Sequence, residues 1–343
     1  MSRKLLSYTA IGLILGSTAI ADVPKVAVDI APVHSLVSRV MEGVGSPKLI
    51  IPAGASPHEY SLRPSEAKSL QDADMVIWMG EDLAPWMENS IETLSKNAEV
   101  ITLLEESDTK LLDFREGALF EEHDHGDHDD HDKDHDDHDD HDHDKDHDDH
   151  DDHDHDKDHD DHDDHGDHDG HAHGEHDPHA WLSIENAQTW LNLVAGKLSA
   201  ADPDNAGVYF ANAAAAREEI NDLVKEVNSI LEPVRGRNFV VFHDAYQYFE
   251  TSFDFPAAGA ISLGDATDPS AARIAEIQDR VKDEGINCVL SEPQYNANLV
   301  ATVLSGTDAK TGIIDPLGLG LEPGSKLYGD LIRNMAKALA GCL

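Results

Sequence analysis

Basic residues are scarce in this chain of 343 residues, where 25 Lys and Arg stand against 69 Asp and Glu and give a formal net charge of −44. Residues 121–177 contribute −27 of that charge, from 30 acidic residues and three lysines, so the remainder carries −17. Nucleic-acid binding needs clustered Lys and Arg to contact the phosphates. The composition therefore argues against nucleic acid as a partner and is compatible with a cationic ligand.

Long apolar runs are missing except near the N-terminus, where "LLSYTAIGLILGSTAIA" follows Arg3 and Lys4. The run contains Ser, Tyr, Thr and Gly and is short for a bilayer span, which favours a signal peptide over an uncleaved membrane anchor. We expect cleavage after Ala21, which ends a small-x-small motif, and no lipid attachment, because no cysteine lies near this site. The mature chain is expected to be a soluble monomer in the periplasm, with residues 1–21 removed.

Cysteine is limited to Cys288 and Cys342. In an exported protein a lone pair is most simply a disulfide. It would close a loop of 54 residues and contribute roughly 4 kcal/mol in the chain-entropy model. A thiolate metal site is the alternative, but two cysteines at this spacing form no ligand pattern.

A His- and Asp-rich insert is the most unusual segment of the chain. Three copies of the unit "HDKDHDDHDDHD" follow one another, the last with Gly166 in its final position. The unit has no apolar side chain to bury, so burial cannot offset its ordering entropy, and residues 121–177 are expected to be disordered. Imidazole and carboxylate bind divalent metals, which indicates weak metal sites, with an acidic solubilising linker as the alternative. The candidate ligands are His131, His135, His138, His141, His143, His147, His150, His153, His155, His159, His162 and His165.

Outside the insert, short apolar runs of strand length alternate with amphipathic segments of helical spacing. Strands are predicted at 25–30, 48–51, 74–78, 99–102, 238–242, 286–291 and 311–315. This alternation predicts an α/β fold of two lobes, each with a mostly parallel sheet flanked by helices. An Ala-rich helix from 204 to about 233 would link the lobes, unless it is two helices broken near Tyr209. The predicted domains are an N-terminal lobe at 22–203, a bridging helix at 204–235 and a C-terminal lobe at 236–343.

Only four of the 23 histidines lie outside the insert: His34, His58, His179 and His243. His58 and His243 follow predicted strands, His179 precedes a helix, and Asp315 ends the last strand. Ligands of open α/β sheets bind at the carboxyl ends of strands, so these four side chains are expected to converge between the lobes. Three imidazoles and one carboxylate suit tetrahedral zinc. Each histidine taken alone could instead be a hydrogen-bonded structural residue, and His34 is interpreted as a residue that starts a helix or supports the site.

The segments "PHEYSLRPS", "DPHAWLS", "VFHDAYQYF" and "LSEPQ…IIDPLG" resemble the ZnuA-type zinc-binding solute-binding proteins of bacterial high-affinity zinc ABC importers. The resemblance covers essentially the mature chain. It implies two lobes bridged by one long rigid helix and a metal in the cleft between them. It matches His58, His179 and His243 to the family's metal histidines, Asp315 to its C-terminal carboxylate, and Cys288 with Cys342 to a family disulfide.

The resemblance also bears on the choice of metal and on function. The related manganese-binding branch has a carboxylate at the position of His243, and a third imidazole in its place favours zinc. The family implies a protein that captures Zn²⁺ and delivers it to a membrane permease, with the insert as an auxiliary capture or sensing element. The alternatives are a zinc store or chaperone and a zinc hydrolase. A hydrolase is disfavoured because Asp315 would fill the open metal position and no HExxH motif is present, so no enzymatic activity is expected.

Overall fold

The computed structural model describes residues 23–115, 176–262, 270–283, 285–294 and 297–343. The expected signal peptide, its cleavage after Ala21, residues 121–175 of the insert and the twelve candidate ligands of the repeat lie outside these residues. The predicted disorder of the insert is wrong at its end, because Asp177 is buried and hydrogen-bonded to Leu112 and His179. Within the described ranges, no helix is both long and apolar enough to cross a membrane.

The N-terminal lobe is built on four parallel strands in the order β2–β1–β3–β4. The strands are β1 (Val26–Val28), β2 (Lys48–Leu49), β3 (Met75–Trp78) and β4 (Glu99–Thr102), and the helices between them are α1 (Ala31–Val40), α2 (Pro64–Gln71) and α3 (Pro85–Leu94). Both central strands, β1 and β3, are buried along their whole length, as expected of a parallel sheet covered on both faces. A proline lies in the first two positions of each helix, where its missing N–H costs no hydrogen bond.

The C-terminal lobe repeats this arrangement with the strand order β6–β5–β7–β8. The strands are β5 (Phe239–His243), β6 (Gly259–Ser262), β7 (Cys288–Ser291) and β8 (Lys310–Ile313), and the helices are α6 (Gln247–Phe253), α7 (Ala271–Asp283), α8 (Ala297–Val303) and α9 (Leu327–Cys342). The predicted class, two parallel sheets flanked by helices, is confirmed. Strand β6 was not predicted, because its sequence "GAIS" lacks a β-branched run.

Two helices connect the lobes, α4 (Ile184–Ala201) and α5 (Ala206–Leu231). Helix α5 is continuous over 26 residues, which corresponds to about 39 Å at 1.5 Å per residue. The interpretation as two helices broken near Tyr209 is therefore wrong. The helix is slightly shorter than predicted because the 3₁₀ turns Pro203–Asn205 and Glu232–Val234 flank it.

The last helix returns to the N-terminal lobe. Helix α9 packs against α1 and α5, and the backbone N–H of Tyr328 donates to Ser35 Oγ at 2.9 Å. Cys342 at its end forms the predicted disulfide with Cys288 of β7. One continuous buried core includes residues of both sheets, and a second, smaller core covers the other face of the C-terminal sheet. The two sheets thus share one compact unit, and the domain boundaries at 203 and 236 stay a prediction.

Candidate metal centre

Three chain segments bring His58, His179 and His243 together. His58 lies in the loop between β2 and α2, next to Pro57, whose carbonyl accepts a hydrogen bond from Trp86 Nε1 at 2.8 Å. His179 immediately precedes a 3₁₀ turn that leads into α4. His243 is the last residue of β5, at the carboxyl end of the C-terminal sheet. Both lobes thus contribute imidazoles to one place.

The three rings are neighbours, although in the part of the chain that the structure describes no three His, Cys, Asp or Glu side chains form a complete metal-binding group. The ring centroids of His58 and His179 are 5.6 Å apart, and those of His179 and His243 are 5.2 Å apart. The Nε2 atoms of His179 and His243 are 3.4 Å apart. Two ligands of a tetrahedral zinc ion, each at 2.0–2.1 Å from the metal, are about 3.4 Å apart. The pair therefore already has the spacing of two zinc ligands.

A buried carboxylate holds the far side of each of these two rings. Asp177 Oδ1 lies 2.7 Å from His179 Nδ1 and also accepts from the His179 backbone N–H at 2.9 Å. Glu292, the residue after β7, places Oε1 at 2.5 Å from His243 Nδ1. Only 1% of Asp177 and 4% of Glu292 are exposed. Carboxylates behind metal-binding imidazoles fix ring orientation and increase ligand basicity.

These hydrogen bonds also determine which nitrogen faces the site. An ionised carboxylate can only accept, so Nδ1 of each ring must carry the proton. The Nε2 atoms of His179 and His243 then present lone pairs toward each other at 3.4 Å. Two lone pairs at that distance repel, and a cation placed between them removes the repulsion. The arrangement is electrostatically suited to a metal ion or a proton.

The space between the rings is small. The cavity has a volume of about 20 Å³, which is enough for one water molecule or one ion and too small for an organic ligand. Trp181 forms part of its wall, with Nε1 donating to the carbonyl of Pro316 at 2.9 Å. The cavity is lined by Ser56, Pro57, His58, His179, Trp181, His243, Glu292, Gln294, Pro316 and Leu317.

Asp315, the predicted carboxylate ligand, lies beside this cavity, directly before two of its lining residues. Its Oδ1 accepts from the backbone N–H of Leu317 at 3.0 Å and lies 3.4 Å from Gln294 Nε2. Its Oδ2 accepts from the backbone N–H of Leu319. The carboxylate is thus bonded to its own loop, and its role as a metal ligand stays a prediction.

The surroundings of the rings are acidic and partly neutralised by one arginine. Asp244 follows His243 and is buried, and burial raises its pKa. Arg115 hydrogen-bonds to Asp244 and opposes that rise. With the nearby carboxylates of Asp177 and Glu292, the site has a local excess of negative charge, which attracts cations.

Some residues at this site had no role in the sequence-based prediction. Asp177 lies in the motif "DPHAWLS" and Glu292 in the motif "LSEPQ". For Asp177, the position of an acidic residue two places before a candidate ligand was a usable signal. His34 lies in the first turn of α1, as the first of its two interpretations predicts. It is buried, and its Nε2 lies 3.3 Å from the carbonyl of Pro47.

The chain is similar to known proteins over almost its whole length. The family model described as "Zinc-uptake complex component A periplasmic" matches residues 26–342. The high-affinity zinc uptake system protein ZnuA of Paracoccus denitrificans is 46% identical over 333 residues, which cover 96% of this chain and 95% of that protein. The protein of the same name from Brucella abortus is 46% identical over 328 residues, covering 96% of this chain and 94% of that protein.

Solved structures share the fold. The crystal structure of a ZnuA mutant lacking residues 138–173, with zinc bound, has a TM-score of 0.68 at 18% identity and covers 94% of this chain and 98% of that chain. At this identity the likeness shows the common two-lobed architecture. Because the family model and the relatives both extend over almost the whole chain, the chain belongs to the family of the periplasmic component A of zinc-uptake complexes.

Proposed function

We propose that this chain captures Zn²⁺ in the periplasm with high affinity at His58, His179 and His243 and delivers it to the membrane permease of an ABC importer. The observation that carries the proposal is the pair of Nε2 atoms at 3.4 Å, each on a ring held by a buried carboxylate. Relatives that are 46% identical are named high-affinity zinc uptake proteins, which supports the choice of metal.

The donor set favours zinc on chemical grounds. Imidazole nitrogen suits Zn²⁺, whereas Mn²⁺ is a harder ion that prefers oxygen ligands. The cavity of about 20 Å³ admits an ion only without its water shell. A dehydrated cation must recover that hydration free energy from its ligands. Three imidazoles, two of them held by buried carboxylates, supply it in this proposal.

The fourth ligand in this proposal is Asp315. Its carboxylate would have to exchange hydrogen bonds with the backbone N–H groups of Leu317 and Leu319 for the metal. That exchange would couple zinc binding to the conformation of the loop after β8, where Pro316 and Leu317 line the cavity. Glu59, which follows the first metal histidine, is exposed and has no assigned role.

Loss of either buried carboxylate should weaken zinc binding. Asp177→Asn and Glu292→Gln are each expected to raise the Kd for zinc by about 10–100-fold, because the imidazole they hold loses its fixed orientation and some basicity. The measurement is a competition titration against a chelator of known affinity. Asp202→Asn is the matched control, since Asp202 is also buried and accepts hydrogen bonds from Asn205 and Tyr209, which are not proposed ligands. An unchanged Kd in both variants would contradict the proposal that these carboxylates hold zinc ligands.

The insert is proposed to be an auxiliary set of weak zinc sites. Tethered sites can supply a millimolar local concentration of metal near the cleft. Deleting residues 121–173 is expected to leave the fold and one tight zinc equivalent intact and to remove several weak ones. The deletion keeps His176 and its β-bridge to Asp113. Calorimetric stoichiometry with circular dichroism checks this; loss of the tight equivalent in a folded deletion variant would show that the insert supplies an essential ligand.

A further inference from the structure

Arg115 connects the N-terminal lobe to the C-terminal lobe beside the candidate metal centre. Its Nε donates to Asp244 Oδ2 at 3.0 Å and its Nη1 donates to Glu250 Oε2 at 2.7 Å. Asp244 directly follows His243, and Glu250 belongs to α6. The side chain of Arg115 is 17% exposed and each carboxylate is 5% exposed. One guanidinium therefore bridges two buried acids that belong to the other lobe.

The two carboxylates depend on this arginine. Burial raises the pKa of both Asp244 and Glu250, and the charge and hydrogen bonds of Arg115 oppose that rise. Removing one partner of a buried charge group leaves the remaining charges desolvated and unpaired. In this case two like charges would also face each other. The segment around Asp244 would then lose the hydrogen bonds that fix it against residue 115 of the other lobe.

Helix α6, which contains Glu250, is also hydrogen-bonded to the segment that precedes His179. The hydroxyl of Tyr248 accepts from the backbone N–H of Leu112 and donates to the carbonyl of Asp177, both at 2.9 Å. The backbone N–H of Asp177 in turn donates to the carbonyl of Leu112 at 2.8 Å. Asp177 is the residue that orients the ring of His179. Residues 112–115 and 176–177 are thus fixed against α6 as one unit.

His179 and His243 are therefore each connected to Arg115 by a short series of covalent bonds and hydrogen bonds. His243 is the covalent neighbour of Asp244, which Arg115 binds directly. His179 is bonded to Asp177, whose carbonyl is held by Tyr248, two residues from Glu250. We propose, on the basis of the zinc site proposed above, that Arg115 is a positioning residue that keeps the imidazoles of His179 and His243 at metal-binding separation across the two lobes and so slows zinc release.

The test compares variants that change the arginine in different ways. Arg115→Lys keeps the charge and loses the forked geometry. The triple variant Arg115→Met, Asp244→Asn, Glu250→Gln removes all three charges, so that no buried acid is left unpaired. Two quantities are measured on the full chain: the rate of zinc release to a chromogenic chelator, and the visible absorption spectrum of bound Co²⁺, which reports ligand geometry.

We expect the triple variant to release zinc about tenfold faster than the wild type. Removing a residue that supports a metal ligand typically weakens metal binding by about 10–100-fold, and the expected change is the lower end of that range. Arg115→Lys should fall between the triple variant and the wild type, and the Co²⁺ bands should shift in both. Arg39→Met is the control, because Arg39 is similarly buried and is paired with Glu219 across α1 and α5. It should leave both readouts unchanged.

The outcomes separate two kinds of failure. If folded Arg115→Lys and triple-variant proteins release zinc at the wild-type rate with wild-type Co²⁺ spectra, Arg115 has no positioning role, while the zinc site stands. If the wild type itself fails to hold one zinc ion tightly, the zinc site is wrong and the role of Arg115 is overturned with it. If the triple variant does not fold, the zinc-release rate of Arg115→Lys alone tests the proposal. A faster rate supports it and a wild-type rate contradicts it.

Discussion

Replacing His243 with alanine is expected to weaken zinc binding by more than about a hundredfold, because loss of a direct ligand should exceed the 10–100-fold effect of losing a group that only supports a ligand. His243 supplies one of the two Nε2 atoms that already have zinc spacing, and it is buried at the end of β5. Its removal leaves His179 without its partner across the lobes. The Kd is measured by competition with a chelator, with circular dichroism to confirm that the variant is folded.

His34→Ala provides the matched control for that experiment. His34 is also buried, and its ring lies against the carbonyl of Pro47 and the hydroxyl of Ser38. Its replacement should lower stability through the loss of packing and these contacts and leave the zinc Kd unchanged. Tight zinc binding that survives in His243→Ala, or that is lost equally in His34→Ala, would contradict the assigned ligand set.

Zinc should stabilise the folded chain strongly at neutral pH. A ligand that binds only the native state stabilises it by RT ln(1 + [L]/Kd), about 4 kcal/mol at 1,000 times Kd. For a unit of this size that corresponds to a rise in Tm on the order of 10 °C. The ligands come from both lobes, so the stabilisation should extend to the whole compact unit. Calorimetric or circular-dichroism melting with zinc, compared with melting in excess chelator, measures the shift.

The stabilisation should diminish as the pH falls below neutral. Zinc binds the neutral imidazoles of His58, His179 and His243, so protons compete with the metal for the same nitrogens. At fixed zinc concentration the Kd rises and the Tm difference between the zinc and chelator samples should shrink toward zero. Identical melting curves in zinc and in chelator at neutral pH would count decisively against a high-affinity site.

The convergence of His58, His179 and His243 could be predicted from sequence because position along a strand determines position in space. In parallel sheets all carboxyl ends meet at one edge, so a histidine directly after a strand is placed there whatever the details of packing. His243 ends β5 and Glu292 follows β7, on neighbouring strands of one sheet. Long helices were equally predictable: α5 differs from the predicted range by only two residues at each end.

Other features depend on packing that local sequence does not encode. Strand β6 is buried along its length although most of its side chains are small, because Ala260 and Ile261 pack into the two hydrophobic cores. The partners of Arg115 lie 129 and 135 residues away on the other lobe, and no local pattern indicates that pairing. The orientation of the Asp315 carboxylate depends on backbone N–H groups of its own loop, which compete with the predicted metal.

The core that continues from one sheet to the other limits how far the two lobes can separate. Swinging the lobes apart would expose apolar surface now buried between them and break the hydrogen bonds of Tyr328 to Ser35 and to the carbonyl of Trp181. Such a motion would cost a sizeable part of the free energy of unfolding. Rearrangement of the loops that carry His58 and Asp315 disturbs far fewer contacts. In the proposed site, release of the ion would therefore begin with these loops at the cavity wall and leave the packing between the two sheets intact.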